Sequence, residues 1–434
     1  MPKLNKKKYV LIIPDGAGDL YRDREGKSPL ALAQIPHIDQ IARFGICGRM
    51  QTLFPSLPRG SLVAQLGMFG WNPYQYYPQG RASAEILATH GIDLDEKDIA
   101  FRANFVRMDG SLLTSYNANY IKSDRAAPLV EKINVDLKAQ FPEFELYHNS
   151  DFRNTLIVRG ANVSAKQLIC LEPHENIGCQ FDMAKLIGGK DSQGKLFAER
   201  INKYLLQVTN LLRFEAANAI FPWSASEAFQ LPSFSENTGF SNKVGIIGAM
   251  DFLRGMAIAG SMDFFPVGSG CPNTDFQAKA NQVIELIRND YGLIICHINA
   301  TDEASHMGSL DLKISSLEAI DQFIVQPIIR YFHEHLHELG GVMVVPDHYT
   351  NVLPHQNGEK RVNAHSLDPV PFAIWNGINN DSVEEFTEES MCQGRYGKEP
   401  ISSLSLIELL TGKSNGNIPN IINPVHNEEI EYAI

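Results

Sequence analysis

Seven residues of this 434-residue chain are of the types that hold metal ions or attack phosphorus: Asp15, Ser61, Asp302, His306, Asp347, His348 and His365. The stretch Leu293 to Gly308 (LIICHINATDEASHMG) shows how they are set in the sequence. Five of its first six residues are apolar and β-favouring, as in a buried strand, and Asp302, Glu303, Ser305 and His306 follow at once. A carboxylate and an imidazole four residues apart, just past a strand, can point at one ion. In α/β sheets ligand sites lie beyond the carboxyl ends of the strands. The pattern returns twice. Tyr9 to Pro14 runs into Asp15 with Gly16 and Gly18 behind it, and Gly341 to Pro346 runs into Asp347 and His348. His365 stands just before the strand-like PVPFAIW. Each segment alone also reads as a helix cap or an Asp-Gly turn. As a set, three carboxylates and three imidazoles suit two divalent ions of the manganese or zinc type better than magnesium alone. Two such ions are a standard device for displacement at phosphorus.

Ser61 would supply the attacking oxygen. It stands where the glycine-bearing loop Pro58-Arg59-Gly60 enters an apolar run, and a helix start there offers free N–H groups to a phosphoryl group. The plainer reading of Ser61 by itself is an N-cap. Three further histidines, His333, His335 and His337, do not form a metal cluster on a helix. Residues two apart are rotated by about 200°, so neighbours cannot share a face.

The elements that must position these groups are those of a soluble α/β enzyme. Hydrophobic content is 44% and charged content 20%. The net charge of −12 argues against a general nucleic-acid binder. Six scattered cysteines without a CxxC pair imply no disulfide framework and a cytoplasmic setting. A core strand beginning near residue 9 leaves no room for a signal peptide, and no apolar run approaches the ~20 residues of a membrane span. The length predicts two domains, or one large domain with an insertion. Helices are expected at residues 36–45, 276–289 and 317–339, the last kinked by Pro327. From about residue 98 to 182 the texture becomes a compact strand–helix–strand unit carrying Arg102, Arg125 and Arg153. It reads as an inserted cap, whose arginines could hold carboxylate or phosphate bidentately.

Taken in order, these segments resemble the cofactor-independent phosphoglycerate mutases of the alkaline phosphatase superfamily, in their shorter, archaeal-type branch. The resemblance covers most of the chain. It includes IPDGAGD at Ile13, SPLALAQIPHIDQIARFG at Ser28, RGSLVAQLGMFGWNP at Arg59, QGRASAEI at Gln79, AFRANFV at Ala100 and SYNANYI at Ser115. It continues with ANAIFPW at Ala217, ATDEASHMG at Ala300, PDHYT at Pro346 and AHSLDPVPFAIW at Ala364. The resemblance implies an α/β fold, an alkaline-phosphatase-like core with a mainly parallel sheet flanked by helices, plus a smaller α/β cap. The expected division is residues 1–95 and 185–434 for the core and 96–184 for the cap. It also implies Ser61 as nucleophile, one metal site on Asp15, Ser61, Asp347 and His348, and a second on Asp302, His306 and His365. The implied activity is interconversion of 3- and 2-phosphoglycerate through a phosphoserine, with manganese ahead of zinc or magnesium. Arg81, Arg102 and Arg153 are expected to bind the small phosphorylated acid, with Arg125 as a further candidate.

Departures fall in the substrate shell. Leu62 stands where the family usually has Asp after the nucleophile. Trp223-Ser224-Ala225-Ser226 replaces a Trp-Gly-x-Gly segment, Pro173-His174-Glu175 a Pro-His-Asp segment, and Val267-Gly268-Ser269-Gly270-Cys271 a glycine-rich one. Two alternatives therefore stay open beside the mutase. One is a metal-dependent phosphatase or phosphotransferase on another small phosphorylated acid, including homoserine-kinase-like activity. The other is a non-catalytic metal-binding scaffold.

Overall fold

The structure, a computed structural model, describes residues 7–352 and 365–412. The chain divides into two compact units. The first comprises Met1–Gln75, Pro232–Ala249 and Met262–Ile434, and the second Tyr76–Leu231 with Met250–Ser261.

An eight-stranded sheet organises the first unit. By residue number its strands run 263–266, 243–248, 291–298, 8–14, 339–344, 370–375, 46–51 and 396–402 from edge to edge. Five of the seven pairings are parallel; the strand Val370–Trp375 is antiparallel to both neighbours. Successive side chains on a strand face opposite ways. Val10, Ile12, Ile294, Cys296, Val342 and Val344 thus fill one core, while Leu11, Ile13, Ile295 and Met343 are buried as well. Helices close over the first core at Pro36–Arg43, Phe276–Arg288, Leu310–Ile320 and Gln326–Glu334. Burial on both faces explains why these strands read as unbroken apolar runs rather than alternating ones.

The expected helix over 317–339 is replaced by three segments. Leu310–Ile320 is α-helical and capped by Ser309, Asp321–Val325 is a π-turn, and Gln326–Glu334 is α-helical again. Pro327 sits in the first turn of the last segment, where a missing N–H costs nothing. His335 and His337 lie beyond that helix end.

The second unit is wider than residues 96–184. Its central strand Ile99–Asp109 pairs with Arg153–Val158 on one side and with Ala219–Ser226 on the other, both antiparallel. The helix Ser192–Leu212 buries Phe197, Ile201, Leu205 and Val208 in the same core. The helix Ala82–His90 packs on Asp251–Ala259, where Gly255 lets the backbones touch: a Cβ there would stand 2.0 Å from the carbonyl oxygen of Ala84. The boundaries expected at 96 and 184 are therefore corrected to 76 and 231, with 250–261 added. Pairing of a strand more than a hundred residues away moves them.

Candidate metal and nucleophile site

Strand order explains how distant residues meet. The strand ending at Pro14 lies between the strands ending at Ile298 and Val344, parallel to both, so the three carboxyl ends stand side by side. They deliver Asp15, Asp302, and Asp347 with His348. Because Val370–Trp375 runs antiparallel, its amino end lies at the same edge, and His365 precedes it there.

All seven expected residues of this unit come together. His348 Nε2 is 3.5 Å from Asp15 Oδ1, 3.5 Å from Asp347 Oδ2 and 3.1 Å from Ser61 Oγ. His306 Nε2 is 3.4 Å from Asp302 Oδ2 and 3.2 Å from His365 Nε2, which is 3.4 Å from Asp302 Oδ1. The His348 and His365 rings stack at 4.0 Å, so the two groups are contiguous. Ligand atoms of a tetrahedral ion at 2.0–2.3 Å stand about 3.3–3.8 Å apart, close to these spacings.

Ser61 is not the cap of its helix. Gly60 takes the N-cap position of Ser61–Met68, and the Ser61 hydroxyl faces His348 instead. The loop before it is fastened to the metal edge: His365 Nδ1 lies 3.1 Å from the Arg59 carbonyl oxygen. A carbonyl can only accept, so that nitrogen carries the proton and Nε2 keeps its lone pair for a ligand role.

Sequence reasoning missed His297. It belongs to the strand Tyr291–Ile298, is 1% exposed, and places Nε2 3.1 Å from Asp15 Oδ2. Donor atoms of Asp15, His297 and Asp347 lie within 4.8 Å of one another, as do those of Asp302, His348 and His365. The available signal was a single polar residue breaking the apolar run LIICHI.

The charge balance of this cluster is poor without a cation. Burial first, then the Asp347 and Asp302 charges, push the Asp15 carboxyl well above its ordinary value. Burial pushes His297 down to about 4, so it is neutral. Burial also works against the Asp302 carboxylate, but the His306, His365 and His348 imidazoles around it outweigh it and hold the group low. Asp15 Oδ1 and His297 Nε2 are buried and make no well-aligned hydrogen bond. Such atoms are rare in folded proteins because each forfeits its solvation. Poorly paired acceptors, crowded carboxylates and imidazoles with free Nε2 atoms fit divalent cations.

The arginines belong to the second unit. Arg102 and Arg81 both reach Glu85, at 3.0 and 3.3 Å, and Arg102 stacks over Trp223 at 4.3 Å. Burial lowers the Arg102 guanidinium to about 10, which leaves it charged at neutral pH. Arg153 is exposed and lies over Phe152. Arg125 is exposed on the helix Ser123–Leu137, apart from these contacts.

Comparison with known proteins now places the chain. A family model described as 2,3-bisphosphoglycerate-independent phosphoglycerate mutase matches residues 42–218. A protein of that name from Methanosarcina barkeri is 34% identical over 411 residues, covering 92% of this chain and 98% of its own. A solved structure of a Pyrococcus horikoshii protein superposes with a TM-score of 0.71 at 25% identity, over 94% of this chain and 97% of the other. The fold is also that of the cofactor-independent phosphoglycerate mutase from Thermoplasma acidophilum, with a TM-score of 0.60, 24% identity, and coverage of 94% and 99%. Identity of this extent over nearly the full length of both chains makes this protein a member of the 2,3-bisphosphoglycerate-independent phosphoglycerate mutase family.

Proposed function

We propose that this chain interconverts 3-phosphoglycerate and 2-phosphoglycerate as a metal-dependent phosphomutase, through a phosphoserine on Ser61. The observation that carries the reading is the Ser61 hydroxyl, 3.1 Å from His348 Nε2 within a convergent set of carboxylates and imidazoles. Asp15, Ser61, Asp347 and His348 would hold one ion, and Asp302, His306 and His365 the other. The mixed oxygen and nitrogen donors suit manganese, with zinc and magnesium as alternatives. Such ions, when bound, would supply positive charge and Lewis acidity to the serine oxygen and the phosphoryl group. Ser61 Oγ attacks phosphorus as its own proton leaves. The bond from phosphorus to the substrate oxygen breaks, and that oxygen takes a proton. The other glycerate hydroxyl then attacks the phosphoserine and regenerates Ser61.

In this reading the second unit is the substrate cap. Arg81, Arg102 and Arg153 hold the carboxylate and phosphate of the acid, with Arg125 as a further candidate. The partner is a small phosphorylated carboxylic acid rather than nucleic acid or membrane, and the setting is the cytoplasm. Among the described residues no helix is long and apolar enough to cross a membrane.

Leu62 favours a second reading. It is buried beside Ser61 and can neither accept nor donate a hydrogen bond. A phosphatase or phosphotransferase acting on another small phosphorylated acid would keep Ser61 and the ions while differing there. The test is to load the protein with manganese, add 3-phosphoglycerate, and follow 2-phosphoglycerate and free phosphate together. Accumulating 2-phosphoglycerate without phosphate supports the mutase. Phosphate alone, or no reaction, overturns it.

A further inference from the structure

Thr350 is fully buried between the two halves of the metal edge. Its Oγ1 donates to Asp302 Oδ1 at 2.7 Å and lies 3.1 Å from His348 Nδ1. A threonine hydroxyl has one proton, and here the Asp302 carboxylate takes it. Towards His348 the oxygen can then only accept, so the proton of that imidazole is on Nδ1. Its Nε2, the atom facing Ser61, Asp15 and Asp347, is left with a bare lone pair.

Two further features hold the hydroxyl in place. The buried Lys313 ammonium donates to the Thr350 carbonyl at 2.7 Å, to the Gly18 carbonyl at 3.1 Å and to Asp19 Oδ2 at 2.9 Å. The Thr350 N–H donates to the Gly18 carbonyl at 3.1 Å. Gly16, at φ +65, lies against the Thr350–Asp302 bond. A Cβ there would stand 2.4 Å from Thr350 Oγ1 and 2.8 Å from Asp302 Oδ1. The turn after the first strand thus leaves room for this one hydrogen bond.

We propose that Thr350 is a positioning residue whose hydroxyl fixes the His348 tautomer and ties Asp302, in one ligand group, to His348, in the other. The proposal rests on the metal-site part of the reading above and not on the identity of the substrate. A carbon isostere at this position would let the His348 ring turn and choose either tautomer. Outer partners of metal ligands of this kind are worth about 10- to 100-fold in metal affinity.

The test compares wild type, Thr350→Val and Thr350→Ser by calorimetric titration with manganese, and by ¹⁵N chemical shifts of histidine-labelled, metal-free protein. His348 is assigned through His348→Gln. In wild type His348 should carry its proton on Nδ1. Thr350→Val should bind manganese about 10- to 100-fold more weakly and show mixed tautomers, while Thr350→Ser stays within about threefold of wild type. An Nε2-protonated His348 in metal-free wild type overturns the proposal even if the valine variant fails to fold. Wild-type manganese affinity in a folded Thr350→Val does so too. If wild type binds no manganese, the metal reading fails, and the ¹⁵N shifts still decide the role of Thr350.

Discussion

At the carboxyl ends of the central strands, Asp15, Asp302 and Asp347 are buried against one another and against imidazoles, with two polar atoms making no well-aligned hydrogen bond. In the second unit, Arg81, Glu85 and Arg102 alternate in sign and satisfy one another, and Trp223 covers the guanidinium of Arg102. The first cluster is unfavourable as it stands and needs a cation to balance it. The second is already balanced, and an anionic ligand must compete with Glu85 for its arginines. Unsatisfied groups therefore point to a ligand more strongly than opposite charges that have found each other.

The largest expected effects come from the unbalanced cluster. Ser61→Ala should remove all activity, and brief exposure to a phosphoryl donor should label wild type on Ser61 alone, read by mass spectrometry of quenched enzyme. Asp302→Ala or His348→Ala should each cut kcat/KM by about a thousandfold or more with the fold intact by circular dichroism. Wild-type turnover in Ser61→Ala would mean that water is activated directly, and the mutase would give way to a hydrolase.

Those residues were legible because a carboxylate follows an apolar strand within a few residues at Asp15, Asp302 and Asp347, a pattern local to the chain. His297 and Thr350 were not. His297 sits inside a strand, where its register against Asp15 is set by pairing with the strand Lys8–Pro14. Thr350 looks like any turn residue until Asp302, 48 positions away, is brought to it. The cap boundaries failed for the same reason, since Ala219–Ser226 joins Ile99–Asp109 only in three dimensions. Pro327 did mark a break in its helix, but the preceding π-turn could not be read from propensity.

A second prediction separates the clusters by sign. Without metal, Asp15 keeps its proton to a higher pH in the folded protein than in the unfolded chain, so ionising it lowers stability as pH rises through that interval. Asp15→Asn has no such ionisation. Thermal unfolding of chelated protein at pH 7 should show the variant melting above wild type, with the advantage shrinking towards pH 4. Added manganese should reverse the order, because only wild type gains binding energy on folding. A lower melting temperature for chelated Asp15→Asn would contradict the crowding argument.

In the balanced cluster the same kind of change should destabilise. Arg102→Ala leaves Glu85 with Arg81 alone and uncovers Trp223, at about 2–3 kcal/mol in urea unfolding. It should also raise KM and lower kcat. Arg153→Ala loses an exposed stacking contact and should change stability by less than about 0.5 kcal/mol. Arg153 is therefore the cleaner probe of substrate binding: a raised KM with unchanged stability supports the cap reading, and unchanged kinetics removes Arg153 from it.

The smallest effect expected is at the rim of the balanced cluster. The hydrogen bond from His174 first, then the charges of His174, Arg81 and Arg102, hold the Glu172 carboxyl below its ordinary value, with burial working the other way. A carboxyl lowered in the folded state adds stability above its unfolded value, and that stability is lost as pH falls through the folded one. Glu172→Gln should therefore cost stability at pH 7 and progressively less at a second, strongly acid pH, as the carboxyl titrates through its folded value. The Glu172 side chain is 49% exposed, so solvent screening limits the cost to a few tenths of a kcal/mol. Paired urea titrations at the two pH values measure it. A loss that persists at acid pH would assign Glu172 to packing rather than charge. A gain at neutral pH would mean that acids repel here as they do around Asp15, and the contrast between the two clusters would fail.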